Sequence, residues 1–256
     1  MTGVARETVA SLLKNLGAHC KNYHDRFVMD VKCEQIQADE IWSFCAKKEK
    51  NASRDDKAKG EGDCWTWVAI DPDSKLVVSY RVGSRDGQNA LAFMYDLSDR
   101  LANRVQLTTD ALHAYVDAVD AAFGADIDYA RIVKVFRASQ WGKSATGRYS
   151  PADLVRVEKE RMWGNPDLDK ASTSHNERQN LTMRMQMRRF TRLTNGFSKK
   201  VEYHLYAVSL HYMFYNYCRP HSSLSYKGNS VTPAMAAGLS TSVWTIFDLL
   251  DLLQGK

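Results

Sequence analysis

Three carboxylates in this chain sit where a carboxylate is either costly or well placed for chemistry. Asp39 lies inside Ile36-Gln37-Ala38-Asp39-Glu40-Ile41-Trp42, in the middle of an expected strand, where a charge needs a metal ion or a cationic partner. Asp110 follows Leu107-Thr108-Thr109, and Glu177 follows Ser172-Thr173-Ser174-His175-Asn176. Taken singly, Asp110 and Glu177 also suit helix N-termini, through capping or the macrodipole, and Asp39 suits a salt bridge. Taken together they make an all-oxygen ligand set with no His/Cys cluster, which is the chemistry of hard ions such as Mg2+ or Mn2+. Glu40 is expected on the opposite face of the same strand as Asp39.

A basic block follows the third carboxylate. Between Arg178 and Lys200 seven residues are basic (Arg178, Arg184, Arg188, Arg189, Arg192, Lys199, Lys200) and none is acidic, in a chain whose whole net charge is +5. A solvated helix face usually mixes both signs, so an acid-free run reads as a phosphate-binding surface. On one continuous helix Glu177, Leu181, Arg184 and Arg188 share a stripe, which lines two guanidinium groups up behind the carboxylate. Met183, Met187 and Phe190 form a second stripe, read as core. Trp42, Trp65 and Trp67 are also assigned to the core, and His204 and His211 to structural positions. His175 and Asn176 suit either positioning of water or DNA, or packing and capping.

These residues need elements to hold them. Strands are expected over Ile36–Phe44, Trp65–Ile70 and Leu76–Val82, the last two joined by the Asp71-Pro72-Asp73-Ser74 turn. A helix over Gln88–Ala102, a strand over Val105–Thr109, a helix over Leu112–Phe123 and a strand over Tyr129–Phe136 follow. Asp110 then falls at a strand's carboxyl end, where ligands collect in open α/β sheets. Lys47–Asp63 reads as an exposed loop and Ala138–Lys170 as irregular. Helices are expected over Asn176–Phe190 and Lys199–Tyr217. At the front, Val9, Leu12, Leu13 and Leu16 recur at helical spacing, with Gly17 as the expected stop. That helix suits either the second half of a helix-turn-helix or a plain docking helix.

The 256 residues are 44% hydrophobic and 25% charged, which excludes a mostly disordered, collagen-like or solenoid chain. Five cysteines with no CxxC spacing argue against a disulfide framework or a structural zinc site. No run reaches the ~18 apolar residues of a membrane span. A cytoplasmic protein with no membrane partner is the expectation.

The motifs IQADEIWSF, DCWTWVAID, RLANRVQLTTD, HNERQNLTMRMQMRRFTRLTNGFSKKVEYH and VTPAMAAGL extend over nearly the whole chain. In them it resembles the IS-one family of bacterial insertion-sequence transposases, members of the DDE superfamily. The resemblance implies an α/β, ribonuclease-H-like mixed sheet of about five strands flanked by helices, with C-terminal helices. It implies residues 1–33 as a helical remnant of a helix-turn-helix whose first half is missing, 34–220 as the catalytic domain and 221–256 as a tail. The acidic triad falls on Asp39, Asp110 and Glu177, and the basic residue seven positions after the glutamate on Arg184. Ala111 stands where related sequences often carry glycine. The implied activity is metal-dependent cleavage and strand transfer of DNA with two Mg2+ (or Mn2+) ions, Asp39 bridging. Arg178, Arg184, Arg188, Arg189, Arg192, Lys199 and Lys200 would contact DNA. The implied partners are transposon ends and target DNA, bound by a homo-oligomer at the bacterial nucleoid. The alternative is a non-catalytic, DNA-binding or regulatory derivative of a truncated transposase.

Overall fold

The computed structural model describes residues 3–137, 153–191, 195–226 and 228–254. In chain order the elements are α1 (Arg6–Phe27), β1 (Gln35–Cys45), α2 (Arg54–Ala58), β2 (Gly62–Ile70), β3 (Val77–Gly83), α3 (Gly87–Arg100), β4 (Gln106–Asp110), α4 (Ala114–Phe123), β5 (Asp128–Arg137) and β6 (Asp153–Trp163). Then come α5 (Ser174–Gln186), a 3-10 turn (Arg188–Phe190), α6 (Val201–Met213) running into a π turn (Phe214–Cys218), α7 (Pro233–Ala236) and α8 (Ile246–Asp251).

The six strands form one mixed sheet in the order β3-β2-β1-β4-β5-β6. β1 to β3 are an antiparallel meander, β4 and β5 join parallel to β1 and to each other, and β6 returns antiparallel at the edge. The mixed α/β architecture flanked by helices is as expected, with one strand more. β6 lies where irregular chain was expected, and residues 138–152 of that stretch are outside the described residues. Its apolar Leu154, Val155 and Val157 are exposed and interleaved with charges. A charged outer strand blunts the unpaired edge of a sheet, and it lacks the buried alternation that marks a strand in sequence.

Helices cover both faces of the sheet. The larger apolar cluster gathers Trp67, Phe93, Met94, Leu97, Leu107 and Tyr115 beneath α3 and α4, and reaches Leu16 and Cys20 of α1 and Leu249 and Leu252 near the C-terminus. The smaller one packs Ile41, Val68 and Val77 against Met183, Phe190, Val208 and Tyr212 of the α5–α6 side. Each fully buried large apolar side chain contributes roughly 1.5–3 kcal/mol. Buried amides pin the α5–α6 side to the sheet. Asn176 donates to the Gln37 and Val68 carbonyls at 3.1 and 2.7 Å, and Asn216 pairs with both Val77 N–H and C=O at 3.0 and 2.9 Å.

Several boundaries differ from expectation. α1 does not stop at Gly17 but continues to Phe27, burying Leu16, Gly17, Cys20 and His24 while Val9 and Leu12 stay exposed. Gly17 serves close approach: a Cβ there would sit 2.6 Å from the Tyr206 carbonyl oxygen and closer still to the Tyr206 Cβ. The Lys47–Asp63 connection holds α2, whose Ser53 and Asp56 form a capping box. All five cysteines are free thiols. No helix among the described residues is long and apolar enough to cross a membrane.

Candidate functional site

The sheet register brings Asp39 and Asp110 together. β1 and β4 pair in parallel up to Ala38 opposite Thr109, and the next step places Asp39 beside Asp110 where β4 ends. Asp110 pairs in turn with Ile132 of β5, and Lys134 stands two residues further along that strand. Asp39, Asp110, Lys134, Thr173 and Glu177 line one cleft of about 220 Å3. All three expected carboxylates therefore border a single space, although they are scattered along the chain.

The backbone holds the two aspartates still. Asp39 Oδ1 accepts the Glu40 N–H at 2.9 Å, and its Oδ2 accepts the Asn180 side-chain amide at 3.0 Å. Asp110 Oδ1 accepts the Leu112 N–H at 2.9 Å. α5 lies over this face of the sheet, and at about 100° per residue Glu177, Asn180 and Arg184 fall within about 60° of one another, toward the carboxylates. The stripe ends there. α5 stops at Gln186 and Met187 turns extended, so Arg188 lies in the 3-10 turn and the expected alignment of Arg188 behind Arg184 is not formed.

Glu40 is the group sequence reasoning missed. Its side chain does leave the opposite face of β1, toward α4, yet its carboxylate oxygen lies within 4.8 Å of those of Asp39 and Asp110. Pairing with β4 ends at Ala38, so no backbone separates the two faces beyond that point. Glu40 is fully engaged: Arg85 Nε donates to one oxygen at 2.6 Å and the Tyr115 hydroxyl to the other at 3.0 Å. The same guanidinium stands 3.7 Å from Asp110. A charged residue in a strand interior beside a second one was the available signal, and strand alternation concealed it.

Crowding shifts the site's protonation. Burial first, then the charges of Glu40, Asp110 and Glu177, push the Asp39 carboxyl up to about 7. Burial also raises Glu40, with Asp110 adding to it and Arg85 opposing. Burial would raise Glu177 too, but hydrogen bonds from Lys134 and Thr173 outweigh it and hold that carboxyl below its ordinary range. Glu177 is thus ion-paired to Lys134 and accepts from Thr173 Oγ1 at 2.8 Å, and it does not join the tight Asp39–Glu40–Asp110 group.

The basic block divides. Arg178, Arg188, Lys199 and Lys200 are exposed, Arg184 is half-buried, and Arg192 lies outside the described residues. Lys199 Nζ rests 3.6 Å from the Phe197 ring centroid. Arg189 turns inward and donates to Ser198 Oγ at 3.0 Å, which removes it from an outward phosphate surface. His204 is buried between Ser198 Oγ (2.7 Å) and Ser43 Oγ (3.1 Å), and His211 is buried, as expected of structural histidines. Asn176 is a packing residue. Trp67 is core, whereas Trp42 and Trp65 are only half-buried, and Arg85 lies over the Trp65 ring at 4.7 Å. A larger cleft of about 560 Å3 between α1 and α8 holds none of the expected site residues.

Asp39 and Asp110 present carboxylate oxygens to the cleft, where Arg85 stands 3.7 Å from Asp110 and Lys134 is paired with Glu177. A hard divalent cation is the ligand this donor set fits. No family model matches the chain, and no curated protein matches it.

Proposed function

We propose that this protein is a metal-dependent phosphoryl-transfer enzyme acting on DNA, a transposase of the DDE type that cleaves strands and joins them to a target. The observation that carries this reading is the convergence of Asp39, in the middle of β1, with Asp110 at the carboxyl end of the adjacent parallel β4, with Glu177 on the same cleft. Asp39 and Asp110 would hold Mg2+ or Mn2+, and Glu177 would complete the set by exchanging Lys134 for a cation. Such ions supply Lewis-acid charge to the attacking and leaving oxygens of an in-line displacement.

The chain's own residues have separable tasks. Asn180 and the Glu40 N–H fix the Asp39 carboxylate so that it need not reorganise during reaction. Arg85, anchored by Glu40 and stacked on Trp65, holds positive charge beside Asp110. Lys134 of β5 lines the cleft and Arg184 shares the Glu177–Asn180 stripe of α5; the two would grip the scissile strand's phosphates, which positions the bond without reading bases.

The test is nicking of supercoiled plasmid and joining of a 3′-hydroxyl oligonucleotide, with Mg2+ and with EDTA. Wild type should do both only with metal, and Asp39→Asn or Asp110→Asn should do neither while still binding DNA. Wild-type protein that binds DNA but never cleaves it would favour the binding-only alternative.

A further inference from the structure

A second cavity lies on the other flank of α5. It measures about 400 Å3, and its walls include Lys75 from the β2–β3 turn, His175, Arg178 and Gln179 from α5, and Arg219 and His221 from the segment after the π turn. On α5 the residues facing it fall roughly opposite the Glu177–Asn180–Arg184 stripe, at about 100° per residue. The helix thus separates two chemically distinct spaces.

The lining of this cavity carries three cations and, among the described residues, no carboxylate. Among the described residues neither Arg178 nor Arg219 makes an ion pair, and Lys75 Nζ is spent only on the Pro72 carbonyl. Burial, and then the charges of Lys75, Arg219, His175 and Arg178, hold His221 below its ordinary range. Asp71 and Asp73 act on His175, each less than Lys75 does. Three permanent positive charges from three separate parts of the chain therefore face one space.

A second observation is independent of charge. Gln179 is 3% exposed and lines the cavity, and its side-chain Nε2 has no hydrogen-bond partner. That atom is closed off from the cavity space, so an acceptor bound there would meet the donor by a turn of the amide. Guanidinium groups and an amide N–H suit a phosphate oxygen in geometry as well as sign.

We infer that the Lys75–Arg178–Arg219 cavity is a second phosphodiester-binding site, which grips a DNA backbone on the far side of α5 from the carboxylates. The identity of the anion as a DNA phosphate rests on the function proposed above. A helix with its side chains is about 10–12 Å across, and a strand carries one phosphate per ~3.4 Å of duplex axis. The two sites would therefore engage phosphates about three steps apart, or belonging to two different strands.

The test uses the full chain in EDTA, so that cleavage plays no part. Binding of a labelled DNA duplex is measured against salt for wild type, Lys75→Ala, Arg219→Ala, Arg219→Glu and the control Lys50→Ala, an exposed lysine of the β1–β2 connection. Each alanine variant in the cavity should bind about tenfold more weakly, the loss of one charge-assisted contact. Its log–log salt slope should fall by about 0.9. Arg219→Glu should lose more, and Lys50→Ala should change neither quantity. Wild-type affinity and slope in both alanine variants would overturn the inference. So would a thermal shift with inorganic phosphate that those variants abolish while their DNA binding is intact, which would mark a free-phosphate site. Wild-type protein that binds no DNA at all sinks the DNA reading of the carboxylate site as well; wild-type binding with unaltered variants sinks only the cavity.

Discussion

Replacing Asp39 by Asn should make the protein more stable while abolishing its chemistry. The carboxylate is buried beside Glu40 and Asp110, and its oxygens accept only one backbone N–H and one amide. Raising an aspartate from its ordinary 3.8 to about 7 corresponds to about 4 kcal/mol at pH 8, at about 1.4 kcal/mol per pH unit. Water at the cleft mouth screens part of this, so the expected gain is about 2–3 kcal/mol, or about 4–12 °C in Tm for a chain of this size. The new amide keeps an acceptor for the Glu40 N–H, and with the Asn180 amide turned over, its NH2 donates to Asn180 Oδ1 in place of the present Asn180-to-Asp39 bond. Between pH 4 and 7 the folded chain holds a proton on Asp39 that the unfolded chain has released. This group's contribution to stability therefore falls as pH rises through that window. Denaturant melts in EDTA should show the Asp39→Asn gain at pH 8 and about a third of it at pH 5. Added Mg2+ should raise the wild-type midpoint and leave the variant's unchanged. A variant equal to or less stable than wild type at pH 8 would refute the crowding argument.

Three further outcomes follow from the packing. Gly17→Ala gains about 1 kcal/mol of helix propensity but drives a Cβ into the Tyr206 backbone, so a net loss of roughly 1–3 kcal/mol is expected; a raised Tm would contradict the close approach. Burial holds His24 at about 3 and His204 and His211 at about 4, so the unfolded chain takes up their protons first. Stability should then fall as pH drops from 6.5 toward 4, by up to about 3 kcal/mol per histidine, more than Asp39 returns; a denaturation midpoint flat across that range would count against it. Lys134→Ala frees Glu177 from its ion pair and should lower the Mg2+ concentration needed for half-maximal thermal stabilisation; an unchanged half-point would mean Glu177 takes no part.

The sheet was legible because its central strands carry long β-branched and aromatic runs bounded by turn residues, and Asp39 and Asp110 stood out against them. What stayed hidden has local causes. β6 is an edge strand whose apolar side chains are solvated and mixed with Arg156, Glu158, Lys159, Glu160 and Arg161, so nothing in its pattern reports pairing. Gly17 reads as a helix stop when the helix that needs its missing side chain lies nearly 190 residues away. Glu40 obeys strand alternation and still reaches Asp110, because alternation describes directions and not where the neighbouring strand ends. The inward turn of Arg189 depends on Ser198, and a run of like charges does not say which member is needed inside.

The seam between α1 and α6 also sets an order of events during synthesis. α1 is complete at Phe27, but its partner helix ends at Met213. At about 5–20 residues per second, those 186 residues take roughly 9–37 s to emerge. Through that interval Leu16, Cys20 and the tight face around Gly17 have no α6 to meet. The Tyr23 ring waits longer, since it packs against Trp244 at 5.1 Å between ring centroids. A helix made well before its partners is thus among the last to find its place, and its apolar face stays uncovered until α6 and the C-terminal segment arrive.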